Sequence, residues 1–226
     1  MNVDAKSLSR TIDAANDALA ATRPIAVEER NETVAWLLDR QVSSGRNVGA
    51  FAPTNNDLGE GVRLFTGETL RTKLATWNVL SAEAARLLIL FGGDDARVRE
   101  AIARAASWLD VSCFVTGDCV IGECAHSFVS HLRFLNVAEA SVPELVHRLN
   151  VVREQRDGAG RWQRFPFYYT LLTLSEIPIE AAKAELRYAV PACDRVLSRG
   201  GKDVVYGARR KALVERVIAL DDLRLL

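Results

Sequence analysis

Apolar residues recur along this 226-residue chain every three or four positions, the period of a helix with one buried face. Alternating Val/Ile/Thr runs, the mark of strands, are nearly absent apart from short pieces such as CFVTGDCVI. The spacing predicts helices over about 5–20, 25–43, 68–92, 95–112, 121–137, 142–156, 165–176, 179–199 and 206–220. Pro24, Asp94 or Asp95, and Ser141 followed by Pro143 and Glu144 are start signals; Gly45, Gly92, Gly158 and Gly200 are stops. The helices alternate in kind. VEERNETVAWLLDRQ, DARVREAIARAASWLD and SVPELVHRLNVVREQ each carry one apolar stripe and a charged face, whereas AEAARLLILFG, GECAHSFVSHLRFLNV and FPFYYTLLTLSEI are apolar on most sides and so covered on most sides. The apolar stretches LLILFG, LRFLNV and LTLSEI begin at Leu87, Leu132 and Leu172, 45 and 40 residues apart. A two-helix unit of that length marks a helical repeat. The reading is an all-α domain over 1–226: an N-terminal helix within 1–22, then helical hairpins over 25–220, each with an outer charged helix, a glycine turn and an inner apolar helix.

Composition adds limits. Hydrophobic residues make up 49% and charged residues 26%, the proportions of an ordinary globular domain. The 29 basic and 29 acidic residues cancel, which argues against a nucleic-acid partner. No apolar run approaches the ~20 residues of a membrane span. The N-terminal MNVDAKSLSRTIDAAND lacks the apolar core of an export signal. With four cysteines and no such signal, the expectation is a cytoplasmic protein with reduced thiols.

The stretch REQRDGAGRWQRFPFYYTLLTLSEI, from Arg153 to Ile177, resembles the repeat of the α/α-toroid superfamily, which includes squalene-type terpenoid cyclases and protein prenyltransferase β subunits. Gln155, Asp157, Gly158, Trp162, Tyr169, Thr170 and Leu171 carry the likeness. RQVSSGRNVGAF looks like a degenerate second copy, and GECAHSFVSHLRFL like the start of another inner helix. The resemblance implies a toroid or an open arc of hairpins, with Trp162 filling the space between an outer and an inner helix at their turn. An arc would leave apolar inner faces open, which calls for a homodimer or another partner. The cyclase acid motif Asp-x-Asp-Asp is missing: GGDDAR and ALDDLR hold only adjacent pairs, and Asp94 and Asp95 read as helix caps.

Candidate chemistry sits in three places. Cys113, Asp118, Cys119, Cys124 and His126 offer zinc donors, but C-x5-C-x4-C-x-H is no closed zinc motif. Asp118-Cys119 is one residue tighter than the Asp and Cys of the prenyltransferase zinc trio. No cofactor is therefore expected, and zinc on Cys119, Cys124 and His126 stands as the alternative to cysteines that pack like Ala or Val. His126, His131 and Glu123 at the start of an inner helix are candidate acid–base groups, against structural histidines. Trp162, Phe167, Tyr168, Tyr169 and Phe128 could line an apolar or carbocation-stabilising pocket, or fill the core. SRGGKDVVYGARRKALVERV gathers basic residues, among them Lys202, Arg209 and Arg210, at the start of the last inner helix; they suit a diphosphate, as in the resembling prenyltransferases, or form a solvated surface with Glu215 and Asp203 as partners.

The expected function is a module resembling prenyltransferases and terpene cyclases that binds an apolar, isoprenoid-like ligand or a protein partner in its concave face, without cyclase activity. Two alternatives stand beside it: an enzyme acting on an isoprenoid diphosphate, and a structural protein-interaction module.

Overall fold

The computed structural model describes residues 2–199 and 204–222. The described residues are mostly helical: α1 Leu8–Ala20, α2 Val27–Arg40, α3 Asn55–Glu60, α4 Lys73–Phe91, α5 Ala96–Asp110, α6 Cys113–Thr116, α7 Cys124–Val137, α8 Val142–Glu154, α9 Phe167–Glu176, α10 Glu180–Arg199 and α11 Val204–Asp222. Strands β1 Val62–Arg63 and β2 Thr69–Leu70 pair antiparallel between α3 and α4. Several ends carry the markers read from sequence. Asp95 accepts from the Arg97 N–H at the start of α5, and Ser141 accepts from the Glu144 N–H at the start of α8. Gly200 lies outside the described residues.

Two expected helix starts are shorter in fact. The helix expected from 68 begins at Lys73, because residues 62–70 form the β1–β2 hairpin around Gly67 at φ +90°. Thr72 is the N-cap, and Glu123 accepts the Arg71 and Thr72 N–H groups at 2.5 and 2.7 Å. The helix expected from 121 begins at Cys124, after Gly122 turns the chain at φ +56°. CFVTGDCVI is not a strand: α6 takes its first four residues and a loop the rest.

Helices α4, α7 and α9 pack side by side; α1 also lies on α4, and α11 on α9. The charged helices α2, α5, α8 and α10 lie against them. Helix α4 has the length and apolar composition of a membrane span, yet most of it is buried among the other helices. One apolar cluster runs from Leu8 to Val217.

At the centre of this packing is a set of charges. Glu83 and Arg86 of α4, Arg133 of α7 and Tyr169 of α9 are nearly inaccessible. The Arg133 Nη1 donates to both Glu83 oxygens at 2.9 Å, and its Nε donates to Glu176 at 2.7 Å. Arg86 reaches Glu176 at 3.4 Å and the Asn16 side-chain oxygen of α1 at 3.0 Å. The Tyr169 hydroxyl donates to Glu83. Burial pushes the Glu83 carboxyl up, but the Arg133 and Arg86 charges outweigh it and hold it below the usual range. Burial opposes the Arg133 charge; Glu176 and Glu83 overcome that and raise it well above its ordinary value.

The turns between outer and inner helices are tied forward to the next outer helix. After α2, Gln41 bridges to Phe51 and its side-chain amide donates to the Gly49 and Ala101 carbonyls at 2.9 and 2.7 Å. Gly49, at φ +93°, lies so close to the Arg104 carbonyl of α5 that a Cβ would stand 2.4 Å from it. After α8, Arg156 bridges to Trp162 and its guanidinium pairs with Glu185 of α10 at 2.8 Å. Gly160, at φ +85°, touches Ala192 and the Tyr188 carbonyl of α10. The Trp162 ring is buried, packs 6.2 Å from both Phe167 and Tyr188, and donates its indole N–H to Glu185 at 3.0 Å. It therefore fills the space between α9 and α10, one helix further on than the turn's own pair.

Replacing Glu83 by Ala leaves Arg133 and Arg86 buried with one carboxylate between them, and unfolding in urea is expected to lose about 3–5 kcal/mol. Trp162→Ala removes a buried ring and a hydrogen bond to a carboxylate, and the same measurement is expected to fall by about 3–5 kcal/mol. A loss below about 1 kcal/mol in either case would contradict the packing described.

Candidate functional site

The aromatic residues expected to line a pocket mostly contact one another. Phe128 packs on Phe165 at 5.6 Å between ring centres, and Phe167 packs on Trp162 and Tyr168. Tyr168 is half-buried, with the Arg210 guanidinium 4.6 Å from its ring centre. Tyr169 borders a void of about 20 Å³ shared with Asn16 and Glu83. That space holds about one water.

The candidate acid–base groups are spread apart. Glu123 caps the start of α4; burial pushes its carboxyl up, but the Thr72 and Arg71 donors outweigh this and lower it. His126 is half-buried, its Nδ1 has no partner, and burial lowers its pKa despite the nearby Glu123 charge. His131 lies deep in α7 between Phe114 and Phe134, its Nε2 unpartnered. Burial, with the Arg148 charge, pushes it down to about 4. It is a neutral core side chain at neutral pH.

The basic residues of α11 are built into the fold. Arg209 pairs with Asp13 of α1 at 2.8 Å and donates to the Phe65 carbonyl at 3.2 Å. Arg210 donates to the Thr66 carbonyl at 2.6 Å. The two arginines clasp the β1–β2 turn, where Gly67 lies against the Tyr206 ring. Lys202 lies outside the described residues. Beyond this clasp a groove of about 380 Å³ opens between α1 and α11. Ala20, Ala21, Phe65, Leu172, Ala208, Ala212 and Leu213 make its apolar walls, with Asp17, Arg209 and Arg216 at its edge. Arg216 donates to the Ser175 hydroxyl at 2.7 Å. Position 216 was not singled out in the sequence, since its relation to the groove depends on how α11 lies against α1.

The thiols do converge. Cys113, Cys119 and Cys124 place their sulfurs within 4.8 Å of one another, with Cys113 exposed and the other two half-buried. Cys113 and Cys124 are 3.7 Å apart. The Ile121 N–H draws the Cys119 thiol below the usual range, with the two neighbouring thiols adding to this, while burial pushes Cys124 up to about 12. Among the described residues no His, Asp or Glu joins the three sulfurs. The structure thus brings Cys119 and Cys124 together with Cys113, and His126 is not part of the group. The Asp118 carboxylate is held by Arg148 and His147 at 2.6 and 2.9 Å. The Asp/Cys/His trio that the resemblance implies is not assembled here.

Comparison of the chain with protein-family models, with curated proteins and with solved structures finds no match. The likeness to the toroid repeat rests on the residues that carry it.

A histidine whose pKa is lowered by folding takes up its proton in the unfolded chain first. His131 thus favours the fold above its ordinary value of 6.5, and that stability is lost as pH falls from there towards about 4. Urea unfolding at about pH 7.5 and about pH 5 is expected to show a drop of about 2 kcal/mol that His131→Leu does not share.

Proposed function

We propose that this chain is a helical-hairpin module of the α/α-toroid kind that binds a small apolar anion, of the size and polarity of an isoprenoid or fatty-acyl chain with an acidic end, in the groove between α1 and α11. The groove itself is the observation that carries the reading: apolar walls, a volume of about 380 Å³ and two arginines at one edge. Small-molecule sites commonly fall between about 300 and 1,000 Å³ and combine apolar walls with a few placed polar groups. The forward ties of the turns, made in the same way after α2 and after α8, support the repeat arrangement.

The buried charges turn this reading away from catalysis at the centre. A cyclase-type reaction needs an apolar chamber with a protonated acid. Here Glu83 is held as a carboxylate by two arginines, and the void beside it has room for about one water. Arg209 orients the groove edge through its bonds to Asp13 and Asp17, while Arg216 donates from Nη2 to the neutral Ser175 hydroxyl and has further N–H donors to offer an anion.

The test is equilibrium binding of farnesyl diphosphate and of farnesol to the purified protein. Binding is expected for both, tighter for the diphosphate. Ala212 is exposed in the groove, so Ala212→Trp is expected to fill it and abolish binding without unfolding the protein. Arg216→Ala is expected to weaken only the diphosphate, by about tenfold, the value of one charge-assisted hydrogen bond. Equal binding by Ala212→Trp and the unchanged protein, or no binding by either, rejects the groove.

A further inference from the structure

Among the described residues, the turns after α2, α5 and α8 are all tied to the next charged helix, but the middle one is built differently. The turns after α2 and after α8 are each closed by a backbone bridge, Gln41 to Phe51 and Arg156 to Trp162, and each has a positive-φ glycine against the following outer helix. Between α5 and α7 no such bridge forms. The loop instead holds Cys113, Cys119 and Cys124.

We infer that this middle turn is a metal site, in which Cys113, Cys119 and Cys124 hold one thiophilic divalent cation of the zinc type, with the fourth position open to solvent. The spacing fits. Two sulfurs each about 2.3 Å from a tetrahedral zinc stand about 3.8 Å apart. Cys113 and Cys124 are 3.7 Å apart, and all three sulfurs lie within 4.8 Å. A disulfide between two of them accounts for the third sulfur less well, since it uses only a pair and requires the sulfurs to close to about 2.05 Å.

The surrounding loop is held in place for such a group. Arg148, buried in α8, donates to the carbonyls of Phe114 and Val115, each at 3.1 Å, and to Asp118 at 2.6 Å. Asp118 turns the chain at φ +47°, in the left-handed region that Asp enters more readily than most residues with a Cβ. That turn and the Cys119 N–H bond to the Cys113 carbonyl, at 3.2 Å, bring the second cysteine back beside the first. Cys124 opens α7 and supplies the third sulfur from a rigid element. The exposed Cys113 gives the ion an entry path and leaves its open face to water.

Binding converts thiols to thiolates and releases their protons to the buffer, so affinity falls as pH falls. The site differs from the groove in place and ligand chemistry, and neither proposal depends on the other. It would work as a staple, joining the end of α5 to the start of α7 where the other turns use a backbone bridge.

The experiment uses the full chain, reduced and stripped of metal, titrated with Co²⁺ and then with Zn²⁺ alone. One equivalent of Co²⁺ is expected to give a thiolate-to-metal charge-transfer band, which one equivalent of Zn²⁺ bleaches. Cys119→Ser is expected to lose the band, and Cys193→Ser, which alters a buried cysteine of α10, to keep it. Should Cys119→Ser fail to fold, alkylation of the unchanged protein decides. Zn²⁺ is expected to protect Cys113, Cys119 and Cys124 from a thiol reagent. A band of equal strength in Cys119→Ser, no band in the unchanged protein, or alkylation of those three cysteines at the same rate with and without Zn²⁺ overturns the site.

Discussion

Charges buried at the meeting of three apolar helices must be matched to one another. Glu83, Arg86, Arg133 and Glu176 come from α4, α7 and α9, and Asn16 from α1 joins them. Taking such groups out of water costs several kcal/mol each, and their attraction offsets that only when the geometry is good. A rotation of α7 by one residue would carry Arg133 about 100° around the helix axis and leave Glu83 and Glu176 with Arg86 alone between them. An apolar seam of Leu and Ala tolerates sliding; this network does not. It contributes less to net stability than to the choice of one register among many similar ones, and the rest of the packing inherits that register.

The outer layer solves a separate problem. The network fixes the inner helices relative to one another, but it does not reach the outer helices. Their positions are set by the turns. Gln41 and Gly49 meet α5; Arg148 and His147 of α8 take hold of the α5–α7 loop; Arg156, Gly160 and Trp162 meet α10. Each tie reaches the helix that follows, so each hairpin orients the next. The β1–β2 turn closes the sequence at the far end, held between Arg209, Arg210 and Tyr206 of α11, with Arg209 also bonded to α1.

The helical content, and the difference between helices buried on most sides and helices with one buried stripe, were legible because they follow from local periodicity. The departures came from turns and from contacts distant in sequence. Helix α4 starts late because the β1–β2 hairpin precedes it and Thr72 caps it, with the Thr72 N–H held by Glu123, 51 residues on. The inner stretches read as apolar, yet Glu83, Arg86, Arg133 and Glu176 stand within them, and a charge inside a helix covered on most sides needs a partner in a neighbour. That signal was present in AEAARLLILF, LRFLNV and LTLSEI, and the apolar residues around it concealed it. Trp162 is buried beside a turn, but the following helix α10, not the turn's own pair, receives the ring.

The candidate sites follow the same division. The cysteines were visible as donors, but only the path of the loop decides which of them meet: Asp118 in the left-handed region and Arg148 reaching from α8 bring Cys113, Cys119 and Cys124 together and leave His126 on the helix. In the aromatic run, by contrast, the polar groups of the fully buried residues, the Tyr169 hydroxyl and the Trp162 N–H, are both met inside the fold by Glu83 and Glu185. Neither group is left for a ligand, and the void beside Glu83 has room for about one water. Room beside polar groups lies instead at an edge, in the groove where α1 meets α11, and the three thiols also gather away from the centre, in the middle turn with Cys113 exposed.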